Sequence, residues 1–237
     1  MEDILSLLQE NSKILIPITM FLTVAVIGFI SYYYSNKSVL LRAFKTSRKK
    51  SINSIQQNEY AKVIGKAKYV NQPLIAPLSG RQCVYYHIIV EVKGDKHWRK
   101  IIDDVKTQDF FIETNSEMAI VKSSNLNKSS MRFHLVKDHK EKSGFRNDAP
   151  EKLEQYLISH NKKSTGILGI NKSMRYSEGV IELDETIAVK GVANWKDLNE
   201  PIEGYSYSKI LTLIGNKKEK LLITDEPKAL LRVNDRL

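Results

Sequence analysis

Ile14 to Tyr34 is a run of 21 residues with no Asp, Glu, Lys, Arg, His, Asn or Gln. A helix of that length reaches about 30 Å, the thickness of a bilayer's hydrocarbon core, so the run predicts a membrane-spanning helix. Pro17 and Gly28 are tolerated in such helices, and Tyr32, Tyr33 and Tyr34 fall where the span meets the headgroups. A signal peptide would carry a basic start and a small-residue cleavage site. Here Glu2, Asp3 and Glu10 stand against Lys13, and the run leaves through three tyrosines.

Charge then sets an expected orientation. Lys37, Arg42, Lys45, Arg48, Lys49 and Lys50 follow the span with no acid among them, which places the C-terminal side in the cytoplasm and residues 1–13 outside as a short tail. The formal net charge is +10, and these six residues account for much of it. Anionic lipid headgroups are therefore a simpler expected partner for this basicity than nucleic acid. No later window approaches the length of a second span, so the remaining chain is expected to form a membrane-held soluble domain. Cys83 is the only cysteine, which rules out an intrachain disulfide or a cysteine-rich metal cluster.

Residues 35–58 place Leu41, Phe44, Ile52 and Ile55 at roughly helical spacing, which fits a juxtamembrane helix or stalk, with a flexible linker as the alternative. From Tyr60 the pattern becomes one of strands: 60–70, 84–93 after a loop at 71–82, 96–105, 109–114 and 118–122, a short one near 132–136, then 174–183, 186–194, 208–214 and 220–224. In the second of these Val84, Tyr86, Ile88, Val90 and Val92 share one face, with Tyr85 and His87 on the other, so Tyr86→Asp is expected to be severe and Tyr85→Asp milder. Gly94-Asp95 and Asn115-Ser116 read as hairpin turns. Asp148 reads as a cap and Pro150 as first-turn residue of one inserted helix, ending near His160. The predicted fold is mainly β, a barrel or sandwich over residues 59–225 with a tail at 226–237, after a single transmembrane α-helix.

Candidate chemistry is sparse. Gly65-Lys66 lacks the spacing of a phosphate loop. His134 and His139 flank Asp138, but a five-residue step puts them on opposite faces of a strand. Cys83 and His87 share a strand face, yet a thiol entering an apolar strand is expected to be an inert core residue. Asp103-Asp104 reads as solvated surface and Asp184-Glu185 as a turn. Eleven tyrosines beside basic residues would suit single-stranded nucleic acid on a small barrel, but the aromatics fall on apolar strand faces at least as often as on polar ones. Catalytic, cofactor-binding and metal residues are all expected to be none. The sequons at Asn36, Asn127 and Asn171 are read as chance matches on the cytoplasmic side.

Several motifs in order resemble the GIDE, or beside-a-membrane, domain. They are Val63-x-Gly65; Pro77-Leu78-Ser79-Gly80 leading into Cys83-Val84-Tyr85-Tyr86; Trp98; and Glu178, Ile181, Leu183, Glu185, Ile187, Val189 and Gly191 over a late strand pair. The likeness spans residues 60–224 and departs at Thr114 and Glu117, where the family pattern has Asp and Gly. That domain occurs in many prokaryotic membrane proteins and in RING-type E3 ubiquitin ligases of organelle outer membranes. The ligases continue into a second span and a RING, whereas this chain stops at Leu237. The resemblance thus implies a single-pass protein with a GIDE-like interaction module and an unidentified protein partner. A ubiquitin-transferase relative, or a binder of anionic lipid or single-stranded nucleic acid, are the alternatives.

Overall fold

A computed structural model describes residues 2–115, 117–124, 126–144, 146–166, 169–198 and 208–231, with residues 2–15 as backbone only. Ser116 of the expected hairpin turn and residues 232–237 of the expected tail lie outside these. The first helix, α1 (Glu2–Tyr33), is longer than the apolar run. Its window Ile16–Tyr33 has mean hydropathy 1.8 and buries none of its residues in the rest of the protein. Among the described residues this is one helix long and apolar enough to cross a membrane. Thr19 and Thr23 turn their hydroxyls back onto the carbonyls of Ile16 and Met20, at 2.9 and 2.8 Å, so neither leaves an unmet donor on the apolar surface.

Only Tyr34 and Ser35 separate α1 from α2 (Asn36–Lys45), whose N-terminus is capped by the Ser35 hydroxyl accepting the Ser38 N–H. Residues 35–58 are accordingly part of the domain. Leu40 and Phe44, one turn apart, are completely buried against Ile64, Ala188, Leu222 and Ala229. Ile52 and Ile55 enter the main core, and the indole N–H of Trp195 donates to the Ile55 carbonyl at 2.9 Å.

Twelve strands follow: β1 (Tyr60–Tyr69), β2 (Leu74–Ile75), β3 (Gln82–Lys93), β4 (Trp98–Thr107), β5 (Phe110–Thr114), β6 (Glu117–Val121), β7 (Met131–His134), β8 (His139–Ser143), β9 (Met174–Glu182), β10 (Thr186–Asp197), β11 (Lys209–Ile214) and β12 (Leu221–Thr224). Helix α3 (Glu151–Ser159) precedes β9, and α4 (Pro227–Leu230) follows β12. Strands β1, β5, β6, β11 and β10 pair in that order and β10 returns to β1, closing a five-stranded barrel. All its pairings are antiparallel except β6–β11. Numbered along the barrel, the order is 1-2-3-5-4, the connectivity of an OB-fold. Gly65 lies where β1 is squeezed between its neighbours. A Cβ there would stand 2.3 Å from the Glu113 carbonyl oxygen, so the crossing requires glycine. Outside the ring β12 pairs with β10, and β7 lies parallel to β12.

The second sheet runs β2-β3-β9-β8, with β4 also on β3, and curls round α3 as a half-barrel. Leu153, Tyr156 and Leu157 of α3 fill it, packing on Tyr86, Ile88, Val90 and Tyr176. The two cores meet at a bulge. Cys83 faces Glu182 and Tyr85 faces Ile181, so two steps on β3 match one on β9. Val84 and Tyr85 therefore both enter the barrel core, while Cys83 and Tyr86 belong to the half-barrel. This corrects the expected alternation: Tyr85 is 0% exposed and Tyr86 7%. The run HKEKS has no apolar alternation and by itself reads as loop, yet it forms strand β8. It is a lysine-bearing edge strand held by β9 alone. Asp148 does not cap α3. Pro150 occupies that position with no side-chain cap, and Asp148 accepts the Asn171 amide instead.

Candidate functional site

The bulge separates Cys83 from His87. The thiol is buried in the half-barrel core, and burial pushes its pKa up to about 12. His87 faces the opposite side and packs edge-on to Phe133 at 5.2 Å. His134, at the end of β7, approaches Glu226 at 3.5 Å, whereas His139 opens β8 and bonds Glu141 at 2.8 Å. Among the described residues no three His, Cys, Asp or Glu groups come together to hold a metal. Asp184 turns between β9 and β10 with φ 64° and pairs with Lys68, and Glu185 accepts the Glu182 N–H at 2.8 Å. The amide nitrogens of Asn36 and Asn171 are engaged, the first on the Phe133 carbonyl at 2.6 Å.

Two of the motifs noted in the sequence meet in space. The carboxylate of Glu178 on β9 is completely buried and accepts the N–H groups of Leu78 and Ser79, each at 2.9 Å. Gly80, at φ 77°, completes that turn and its N–H bonds the Ala76 carbonyl. The next residue, Arg81, bridges Glu182 on β9 and Asp138 ahead of β8, at 2.5 Å to each. One loop is thus fastened by three carboxylates, Glu178 on its backbone and Glu182 and Asp138 on the guanidinium of Arg81.

Between the sheets lies a cleft of about 730 Å³. One wall is the open face of β3 and β4, with His87, Ile89, Asp103 and Val105. The other is β7 and the residues after it, with Arg132, Phe133, Leu135 and Lys137. Asn36, the first residue of α2, stands at its margin. The two neighbouring acids diverge. Asp103 bonds His87 Nε2 at 2.7 Å and Lys100 at 2.8 Å, while Asp104 accepts the Tyr156 hydroxyl at 3.0 Å. Burial alone would raise Asp103, but the hydrogen bonds from Lys100 and His87 outweigh it and hold its pKa at about 2. Burial lowers the pKa of His87, so its bond to Asp103 is made by a neutral ring. This histidine and aspartate have no Ser, Thr, Cys or Tyr among the described lining residues to activate.

Lys137 is the unusual member. Lysines normally bury the stem and leave the ammonium in water. Here the residue is only half-buried, yet its Nζ is enclosed and has no hydrogen-bond partner. Burial lowers its pKa to about 8, and Asp103 only partly offsets this. Sequence reasoning missed Lys137 and Phe133, because nothing in the run Phe133 to Lys140 marks one lysine as enclosed. A second groove, of about 520 Å³, is ringed by Lys93, Arg99, Lys100, Lys162, Lys163 and Lys172. These are solvated side chains on an exposed rim.

The third groove, of about 590 Å³, lies in the elbow between α1 and α2, where Arg42 sits 3.9 Å over the Tyr33 ring and Lys45 and Lys228 add charge. Of the six basic residues after the apolar run, Lys37 pairs with Glu226 at 2.6 Å and Lys50 with Glu59.

The architecture defines a class: a closed five-stranded barrel fused to a half-barrel, preceded by one helix apolar enough for a bilayer. Comparison with protein-family models, with curated proteins and with solved structures finds no match.

Proposed function

We propose that the chain is a single-pass membrane protein whose GIDE-like β domain is held against the cytoplasmic face of the bilayer as a non-catalytic binding module. The observation that carries this reading is the junction of α1 and α2. Two residues separate the apolar helix from a helix whose Leu40 and Phe44 are wholly inside the domain. Asn36 and Lys37 tie the start of α2 to β7 and to Glu226. An anchor joined in this way leaves little freedom for the domain to drift from the membrane surface. Arg42, Lys45, Arg48 and Lys49 then meet anionic headgroups, while Lys37 and Lys50 serve ion pairs within the domain. The ubiquitin-ligase alternative rests on the sequence resemblance alone.

Cysteine labelling tests the topology. Cys83 is buried and gives a silent background, and Lys217 is exposed on the turn between β11 and β12. In the native cell Lys217→Cys is expected to react with an impermeant maleimide only after permeabilisation. Labelling of intact cells would refute the cytoplasmic placement.

A further inference from the structure

The cleft between the two sheets is built asymmetrically, and its asymmetry describes a ligand. Its body is apolar: Phe133 rests on Tyr85 at 5.1 Å between ring centres and on the edge of His87, with Ile89, Val105 and Met131 beside it. Its polar equipment is mostly cationic. Asp103 and Asp104 are already engaged by Lys100, His87 and Tyr156, as described above. By contrast, neither Arg132 nor Lys137 makes an ion pair or a side-chain hydrogen bond with a described residue. An enclosed ammonium without hydrogen bonds is costly, and the cost is relieved when an anion with acceptor oxygens docks against it. Perturbed groups of this kind gather at functional sites.

We propose that this cleft binds a small ligand carrying a phosphate or carboxylate on an apolar body, with Lys137 and Arg132 receiving the anion and Phe133 and Ile89 the body. The volume of about 730 Å³ is that of a small-molecule site. The inference rests on the domain being a binding module, but not on its orientation in the membrane. The ligand's source can be aqueous or, because Asn36 of α2 borders the cleft, the adjacent bilayer. The shared chemistry is the same.

The test uses full-length protein purified in neutral detergent, with binding followed by titration calorimetry. Four probes are compared: inorganic phosphate, phenyl phosphate, dihexanoylphosphatidic acid and dihexanoylphosphatidylcholine. Phenyl phosphate or the phosphatidic acid is expected to bind at least tenfold more tightly than inorganic phosphate and the zwitterionic lipid. The tighter of the two identifies an aqueous or a lipid source. Lys137→Met is expected to weaken that binding at least tenfold while leaving the melting temperature equal or higher, which a merely structural lysine would not do. Lys162→Gln, on the other basic groove, is expected to change nothing. Inorganic phosphate binding as tightly as the best probe would overturn the proposal. So would absence of saturable binding by all four, or binding indifferent to Lys137→Met. None of these outcomes bears on maleimide labelling at position 217, so failure of this proposal and failure of the membrane reading remain distinct.

Discussion

Three buried polar side chains behave in three different ways, and each makes a measurable difference. Glu178 is fully satisfied by two backbone donors, so Glu178→Gln, which turns an NH2 toward one of them, is expected to lose about 1–3 kcal/mol in urea unfolding. Tyr85 is the opposite case. Its hydroxyl is enclosed without a partner, so Tyr85→Phe is expected to be neutral or stabilising in the same assay, whereas Tyr85→Asp should prevent folding. Asp225 accepts the Val136 N–H with both oxygens, at 2.9 and 3.1 Å, yet burial, helped by Glu185 and Asp138, lifts its pKa to about 7. The native state therefore keeps a proton that the unfolded chain releases near pH 4. Its contribution is fully present below that value and is lost as pH rises to about 7. Asp225→Asn is expected to gain stability relative to wild type between pH 5 and pH 8. His87 and His134, both lowered by burial, oppose this by losing stability as pH falls below about 6.5. They are present in both proteins, so the difference isolates Asp225.

At the scale of elements, α2 is the piece on which the proposed architecture depends. Its amphipathic spacing was visible in the sequence as Leu41 and Phe44, but the buried pair is Leu40 and Phe44. Its C-terminal carbonyl at Phe44 takes the ammonium of Lys62, itself buried on β1, at 3.3 Å. Phe44→Ala is expected to cost about 3–5 kcal/mol, read as a lower urea midpoint, because the vacated space is lined by β1, β10 and β12 residues that cannot close over it. A loss below about 1 kcal/mol would show α2 to be a detachable stalk. Most strands were legible for a simple reason: apolar alternation is written locally. Strand β8 was not, since an edge held from one side needs no apolar face, and neither was the bulge at Val84, whose effect depends on a partner nearly a hundred residues away.

For the whole molecule, the absence of ubiquitin transfer is a prediction of composition. A RING needs eight zinc ligands, and one cysteine with five histidines cannot supply them. A thioester route through Cys83 is opposed by its burial and raised pKa. Purified protein mixed with ubiquitin, activating enzyme and conjugating enzyme is expected to form no conjugates. Conjugates that appear with wild type and vanish in Cys83→Ser would make this chain an enzyme. What the sequence determined alone are quantities that add up along the chain: one apolar stretch, a basic flank, a strand-rich remainder and too few cysteines and histidines for the eight ligands of a RING. Only the tertiary structure decided that β10 returns to β1, that Tyr85 rather than Tyr86 is the deeper tyrosine, and that Lys137, with its nitrogen enclosed, lines a cleft. These depend on which strands pair and in what register. Pairing is settled by contacts between residues far apart in the chain, and no local period encodes them.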